Sequence, residues 1–196
     1  ASIHGCWLGI YESAKQKRFA AAVNRNDVVY DLGAQAGFYS LLASRLVGPQ
    51  GMVYSFEPLP RNVHFLKEHV ALNEVTTIKI FEFAVSSTDG TGLFEDGPNP
   101  LQGGLSERGA REVRVASLDA LFAEGQLRPP NVVKIDIEGG GLQACIGAKK
   151  LLATHKPCVF LAIDAVSDYE CCEFLRTLGY RIDEFDVNEI IATAEV

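Results

Sequence analysis

The sequence has 196 residues, enough for one domain with a buried core, and its 47% hydrophobic and 22% charged residues are typical of a globular protein. A formal net charge of −7 argues against a nucleic-acid partner, because binding to a phosphate backbone depends on clustered Lys and Arg. No apolar run reaches the roughly 18 residues of a membrane span, and no signal segment opens the sequence. We therefore expect a cytoplasmic protein that binds neither nucleic acid nor membranes.

Predicted strands and helices alternate along the chain, which indicates a mostly parallel α/β sheet. Helices are predicted at residues 11–23, 37–47, 59–72, 117–125, 142–152 and 168–178. Strands are predicted at residues 28–31, 52–56, 78–83, 111–115, 131–137 and 158–163, with an antiparallel pair at 180–185 and 189–192. We interpret residues 1–26 as an N-terminal helical extension and residues 27–196 as one ligand-binding domain.

Some local patterns predict surface or loop structure. The basic residues Lys15, Lys17 and Arg18 are expected on the solvated face of the first helix. Residues 111–115 alternate polar and apolar, which favours an edge strand. Residues 86–109 are rich in Gly, Pro, Asn and Ser and predict turns, with a short strand near Leu93.

Five cysteines without a C-x-x-C pair favour free thiols in a reducing compartment. A bridge between Cys145 and Cys158 is the alternative, if the helix of one packs on the strand of the other.

A glycine-containing turn follows the first predicted strand. Gly33 comes two residues after Asp31, and Gly37 follows after three more positions that include Gln35. Glycines here let the backbone approach a ligand closely at the carboxyl end of a parallel strand. A dinucleotide fingerprint would read G-x-G-x-x-G, so this spacing favours S-adenosylmethionine, which carries no phosphate, over NAD. A plain strand-to-helix turn is the alternative.

The second predicted strand ends at Glu57, 20 residues beyond Gly37. A carboxylate there can accept hydrogen bonds from both ribose hydroxyls of an adenosyl ligand, although a simple exposed acid is the alternative. Backbone groups after the third strand are the candidates for contacts with adenine. The predicted cofactor-binding residues are Asp31, Gly33, Ala34, Gln35, Gly37, Phe38, Glu57, Pro58, Ala84 and Val85.

Several segments together resemble the FkbM family of methyltransferases: residues 31–40, 56–58, 73, 84–86 and 133–139. The resemblance implies a Rossmann-like class I methyltransferase fold, with a mostly parallel seven-stranded sheet, an antiparallel final strand and helices on both faces. It also implies S-adenosylmethionine as cofactor, S-adenosylhomocysteine as product, and O-methylation of a small molecule. Such acceptors are often sugars or polyketide-type metabolites.

The sequence departs from the family pattern at three places. Gln35 stands where the family usually has Asn or Gly, and Gly141 replaces a usual acid. Residues 163–165 lack the usual acid-x-His feature. A catalytically impaired adenosyl-binding domain is therefore the first alternative function, and an NAD-dependent oxidoreductase is the second.

The predicted catalytic residues follow the strand at 131–137. Methyl transfer needs the acceptor oxygen, the methyl group and the sulfur in line, and a base helps to remove the hydroxyl proton. We predict that Asp136 orients or deprotonates the hydroxyl and that Glu138 assists. A structural role at the next helix start is the alternative for both.

A magnesium ion held by Asp136, Glu138 and Asp164 is a competing hypothesis, but we predict no metal. Residues 86–109 are expected to cover the acceptor, and a homodimer is left open.

Overall fold

The computed structural model describes residues 12–96, 103–163 and 166–194. Its helices are α1 (Ser13–Ala22), α2 (Phe38–Val47), α3 (Pro60–Leu72), α4 (Leu118–Ala123), α5 (Gly141–Gly147), α6 (Lys149–His155) and α7 (Val166–Thr177). Its strands are β1 (Val28–Leu32), β2 (Met52–Phe56), β3 (Ile78–Phe81), β4 (Ala84–Val85), β5 (Gly90–Asp96), β6 (Gly103–Leu105), β7 (Arg111–Ala116), β8 (Val132–Ile135), β9 (Cys158–Ala162), β10 (Tyr180–Asp186) and β11 (Glu189–Ala194).

In the described part of the chain, the larger sheet has seven strands in the order β10-β11-β9-β8-β1-β2-β3. The neighbours from β9 through β3 all pair in parallel. Only β11 runs against its neighbours, β9 and β10. The predicted mostly parallel sheet with an antiparallel final strand is therefore confirmed.

Helices cover both faces of this sheet because its central strands are apolar on both sides. All five residues of β1 are buried, as expected for a central parallel strand. Tyr30 belongs to the core beneath α5, α6 and α7, whereas Val29 belongs to the core beneath α1 and α2. The polar functional groups are consequently confined to the strand ends.

A second, smaller sheet was not predicted. In the described residues it has the order β4-β7-β5-β6, so β7 lies between two other strands. The prediction of an edge strand at 111–115 is therefore wrong. The alternation arises because Val113 and Val115 pack in a small core with Leu59 and Phe94, while intervening residues face solvent. The predicted helix at 142–152 is in fact two helices, α5 and α6, separated at Ala148.

Helix α1 is packed onto the main sheet. Phe19 is fully buried and makes edge-on ring contacts with Tyr39 and Phe160. The prediction that Lys15 is solvated is wrong, since only 2% of the residue is exposed. The division of the chain at residue 26 stays a prediction.

The four cysteines in the described residues are free thiols, so the alternative bridge between Cys145 and Cys158 is not formed. The sulfur of Cys145 instead lies 3.0 Å from that of Cys171 on α7. Among the described helices, none is long and apolar enough to cross a bilayer.

Candidate active site

A pocket that is partly open to solvent lies at the carboxyl ends of β1, β2 and β8, and the empty space in it, open solvent included, is about 690 Å³. This is the edge where open α/β sheets bind ligands. Its lining comprises Leu32, Gly33, Gln35, Phe56, Glu57, Pro58, Leu59, Asn62, Ala84, Val85, Phe94, Gly103, Gly104, Leu105, Asp136, Ile137, Glu138 and Gly140.

The turn after β1 needs glycine at its first position. Gly33 has φ +79°, and a Cβ there would lie 2.0 Å from the Asp136 carbonyl oxygen. The backbone of the turn is therefore packed directly against the loop after β8. The N–H groups of Gly33 and Ala34 both donate to the Phe56 carbonyl, at 3.0 Å each, which ties the turn to β2 as well.

Gly37 closes the same turn just before α2. It has φ +96°, and a Cβ there would lie 2.4 Å from Leu66 Cδ1 on α3. His69, one turn further along α3, places Nδ1 2.7 Å from the Ala36 carbonyl oxygen. Gly37 thus serves the packing of the turn onto α3, because it does not itself line the pocket.

Glu57 is a buried residue of the pocket lining, with its carboxylate held by the backbone. One oxygen accepts the Gln35 N–H and the other accepts the Leu59 N–H, each at 2.9 Å. Asn62 Nδ2 donates to the second oxygen at 3.3 Å. Burial raises the pKa of Glu57 above its ordinary value, and these hydrogen bonds offset that rise only in part.

Asp31 lies behind the glycine turn rather than in the pocket lining. It is 1% exposed, and its two oxygens accept hydrogen bonds from Lys134 Nζ at 3.1 Å and Ser40 Oγ at 2.7 Å. Lys134 Nζ also approaches the Gly33 carbonyl at 3.4 Å. The Asp31–Lys134 pair therefore holds β1, α2 and β8 together beneath the pocket floor.

Asp136 is held between two lysines. Its Oδ2 lies 3.3 Å from Lys134 Nζ and 3.2 Å from Lys15 Nζ. Burial alone would raise the pKa of Asp136, but the two ammonium groups lower it to about 2. Asp136 is consequently ionised at any physiological pH and is a weak base.

The second partner of Lys15 was not foreseen from the sequence. Lys15 Nζ donates to Glu189 Oε1 at 2.7 Å and lies 3.6 Å from Glu12 Oε2. Glu189 is the first residue of β11 and pairs in register with Ala162, the last residue of β9. Since β11 is antiparallel, its beginning meets the carboxyl ends of the parallel strands. No sequence motif marks Lys15 or Glu189, because only the folded packing of α1 and β11 brings them together.

The smaller sheet forms one wall of the pocket. Phe94 from β5 and Leu105 from β6 line it, together with Gly103 and Gly104. A Cβ on Gly104 would lie 2.6 Å from the Glu138 carbonyl oxygen, so β6 lies close against the loop after β8. Within the expected cover of residues 86–109, the antiparallel strands β5 and β6 therefore line the pocket, and the role of this segment over the acceptor stays a proposal.

Most predicted site residues converge on this pocket. Both predicted catalytic residues line it, and so do Gly33, Gln35, Glu57, Pro58, Ala84 and Val85. The predicted cofactor residues that do not line it are Asp31, Ala34, Gly37 and Phe38. Asp164, the third ligand of the alternative magnesium site, falls outside the described residues.

Gly141, which stands where the family usually has an acid, faces the carboxylate of Asp168 on α7. A Cβ at this position would lie 2.9 Å from Asp168 Oδ1 and 3.2 Å from Leu161 Cδ1. A longer acidic side chain would therefore meet a buried carboxylate. The residues packed around position 141 therefore leave little room for a side chain there.

The groups in the pocket fit an adenosyl ligand with a sulfonium centre. Phe56, Leu59, Val85 and Phe94 supply apolar surface for a purine ring. Glu57 after β2 is a carboxylate of the kind that fits ribose hydroxyls, and Asp136 after β8 is a second carboxylate at the same edge of the sheet, on the other side of β1. Between these two carboxylates, the Gly33 turn lets the backbone approach a ligand closely.

Comparison with known proteins agrees with this geometry. Residues 31–182 match the family described as "Methyltransferase FkbM domain". A hexuronic acid methyltransferase, AglP of Haloferax volcanii, is 30% identical over 129 residues, which is 65% of this chain and 52% of that protein. The chain therefore spans about half the length of this curated relative.

Solved structures show the same fold. A methyltransferase FkbM from Methylobacillus flagellatus superposes with a TM-score of 0.64 at 15% identity, covering 91% of this chain and 50% of that one. Aeropyrum pernix fibrillarin, solved with natively bound S-adenosyl-L-methionine, superposes with a TM-score of 0.56 at 15% identity, covering 89% of this chain and 68% of that one. The fold is that of the class I methyltransferases, and the chain belongs to the FkbM methyltransferase domain family.

Proposed function

We propose that this protein is an S-adenosylmethionine-dependent O-methyltransferase that acts on a hydroxyl of a small molecule, of which a sugar is the best-supported class. The observation that carries the proposal is the pocket itself. It places a backbone-held carboxylate, Glu57, and a lysine-held carboxylate, Asp136, on the two sides of the Gly33 turn, at the carboxyl ends of β2 and β8, which flank β1. Family membership favours methyl transfer over hydride transfer with NAD.

Glu57 would hold the ribose of the methyl donor. Its Oε2 accepts the Gln35 N–H and has a second lone pair for a hydroxyl, whereas Oε1 already accepts both the Leu59 N–H and the Asn62 amide, which a hydroxyl there would displace. The apolar residues Phe56, Val85 and Phe94 would enclose the adenine. When bound, the cofactor supplies an electrophilic methyl group on a positively charged sulfur.

Asp136 would orient the acceptor hydroxyl rather than act as a strong base. A carboxylate with a pKa of about 2 accepts a hydrogen bond well but retains a proton poorly. Its position opposite the Gly33 turn would direct the acceptor oxygen toward the methyl group, and most of the rate would come from this alignment. Glu138, which also lines the pocket, would contact the acceptor.

The choice of acceptor rests on the relative from Haloferax volcanii, which acts on a hexuronic acid according to its name. The test is methyl transfer from radiolabelled S-adenosylmethionine to a panel of neutral sugars, uronic acids and polyketide-type alcohols. We expect labelled product from a sugar acceptor, with Asp136→Asn reducing kcat about 100-fold or more while binding of S-adenosylhomocysteine persists. No binding of either adenosyl ligand would refute the proposal.

A catalytically impaired binding domain is the alternative, and Gly141 is the observation that favours it. The two functions differ in one result, since binding of S-adenosylhomocysteine without turnover of any acceptor would support the alternative. If Gly141 is an adaptation to Asp168 instead, Gly141→Glu will destabilise the fold without increasing turnover.

A further inference from the structure

One ammonium group connects two carboxylates at the acceptor end of the pocket. Lys15 Nζ lies 3.2 Å from Asp136 Oδ2 and 2.7 Å from Glu189 Oε1. Lys15 is 2% exposed, whereas the Asp136 side chain is 24% exposed and lines the pocket. A continuous hydrogen-bonded path therefore runs from the pocket surface through the buried Lys15 to Glu189, whose side chain is 15% exposed.

Glu189 ends this path in an unusual environment for a carboxylate. Its Oε1 accepts from Lys15, but its Oε2 is buried and accepts no hydrogen bond from the described residues. Among the described residues, the charged groups that act on it are Lys15 and Glu12 from the N-terminal segment and Asp136 from the loop after β8. One cation is thus shared among three carboxylates, and Glu189 is the one with an oxygen left unsatisfied.

We propose that Glu189 receives the proton that leaves the hydroxyl group of the methyl acceptor. The proton reaches Glu189 from Asp136 through Lys15. The inference rests on the proposed methyl transfer. Lys15 and Glu189 are positioning residues in this scheme, because they act through Asp136 and do not touch the acceptor. The net result is one proton stored on Glu189, with Asp136 ionised and Lys15 charged as before.

The transfer balances atom by atom. The acceptor oxygen bonds to the methyl carbon as the carbon–sulfur bond breaks and its electron pair stays on sulfur. The hydroxyl proton passes to Asp136 Oδ2, Lys15 passes a proton to Glu189 Oε1, and Lys15 takes the proton from Asp136. The products are the methyl ether, S-adenosylhomocysteine and a protonated Glu189, which returns its proton to solvent before the next turnover.

The acid strengths of the two carboxylates support this direction. Burial raises the pKa of Glu189 to about 7, with Lys15 offsetting part of the rise, whereas the pKa of Asp136 is about 2. A proton on Asp136 is therefore unstable relative to one on Glu189. A group that titrates near neutrality is also the type best suited to exchange protons at physiological pH.

The first experiment needs no substrate. Carboxyl-carbon NMR of glutamate-labelled, ligand-free protein, with the Glu189 signal assigned by its loss in Glu189→Gln, gives the ionisation midpoint directly. We expect a midpoint near pH 7. A midpoint close to the ordinary glutamate value near 4.3 would overturn the proposal.

The second experiment measures kcat against pH in matched variants. Wild type should gain rate as pH rises through 7, because Glu189 must be ionised to receive the proton. Glu189→Gln should lose this rise and be slower at pH 8 by about 10-fold to 100-fold. Glu184→Gln, an exposed glutamate in the same hairpin, is the control and should match wild type.

Lys15→Arg separates proton transfer from electrostatics. Arginine keeps the positive charge beside Asp136 but does not release its proton, so the proposal expects it to be as slow as Lys15→Met. Thermal unfolding of each variant verifies that it is folded. An Arg variant with wild-type rate, or a Glu189→Gln variant with the wild-type pH profile, would overturn the relay.

Failure of the proposed function would look different. In that case the wild-type protein would form no S-adenosylhomocysteine with any acceptor. The proton relay would then have no reaction to serve. Failure of the relay alone leaves wild-type turnover intact and abolishes only the difference between wild type and Glu189→Gln.

Discussion

The two ends of the pocket bury a carboxylate in opposite ways. Glu57 receives hydrogen bonds from the Gln35 and Leu59 N–H groups and from the Asn62 amide, with no cation from the described residues in contact, and burial raises its pKa. Asp136 is held by Lys15 and Lys134, which lower its pKa to about 2. Neutral hydrogen-bond donors thus offset only part of the pKa rise that burial causes, whereas two ammonium groups lower the pKa below its ordinary value.

This difference matches the two tasks that we propose. A carboxylate fixed by rigid backbone donors is suited to holding ribose hydroxyls in one orientation. A carboxylate held by charged side chains can accept a hydrogen bond from a reacting hydroxyl and pass on its proton. Substitutions made at each end separately test whether the two carboxylates have these separate roles.

The largest effect is expected at the lysine-held end, from Lys134→Met. Lys134 is 2% exposed and neutralises Asp31, which is 1% exposed, as well as Asp136. Its removal leaves a buried carboxylate without its cation, and we expect a loss of about 3–5 kcal/mol in the free energy of unfolding. Urea denaturation measures it, with Lys67→Met, an exposed ion pair to Glu82, as a control expected to lose under about 1 kcal/mol. Equal losses in the two variants would contradict the comparison.

Between the two ends, Gly33→Ala should abolish binding of S-adenosylhomocysteine. Its Cβ would lie 2.0 Å from the Asp136 carbonyl oxygen, so the turn and the loop after β8 must separate. Gly125→Ala is a matched control because Gly125 has a similar φ of +72° but no atom within 4 Å of the added carbon. We expect Gly125→Ala to cost about 1 kcal/mol of stability and to bind the ligand normally, as measured by calorimetry.

A pH effect on stability should follow from Glu189. Its folded pKa of about 7 lies above the ordinary value of 4.5, so its contribution to stability is fully present below pH 4.5 and is lost as pH rises through 7. Glu189→Gln does not titrate, and its stability relative to wild type should rise between pH 5 and 8 by about 2.5 kcal/mol at most. Thermal unfolding over this pH range measures the trend, and a constant difference would contradict it.

The smallest effect is expected at the backbone-held end, from Glu57→Gln. The amide keeps one acceptor oxygen, but its NH₂ group faces a backbone N–H donor and presents no acceptor there. We expect affinity for S-adenosylhomocysteine to fall about tenfold, or about 1.4 kcal/mol, with little change in kcat. A loss in kcat comparable to that of Asp136→Asn would show that the two ends do not have separate roles.

The backbone-held end could be predicted from the sequence, and the lysine-held end only in part. Gly33, Glu57 and Asp136 each follow a parallel strand, and the carboxyl ends of such strands meet at one edge of the sheet. Lys15 is 121 residues from Asp136 and 174 from Glu189 in sequence, so no local pattern relates them. Their contact depends on how α1 packs through Phe19 onto the main sheet.

The second sheet escaped prediction for a related reason. The predicted short strand near Leu93 is β5, but β6 and its pairing with β5 were not predicted, because this stretch is rich in Gly, Pro and Asn and its short-range signals favour turns. Both segments are strands because Phe94 and Leu105 pair across the hairpin and pack toward the pocket, a contact that depends on the complete fold.

A crystal structure of the complex with S-adenosylhomocysteine tests the central claim most directly. We expect ribose hydroxyls hydrogen-bonded to Glu57, the sulfur beside the Gly33 turn, and adenine against Val85 and Phe94. Ligand bound away from Glu57, or a pocket filled by rearranged side chains with no ligand density, would contradict it.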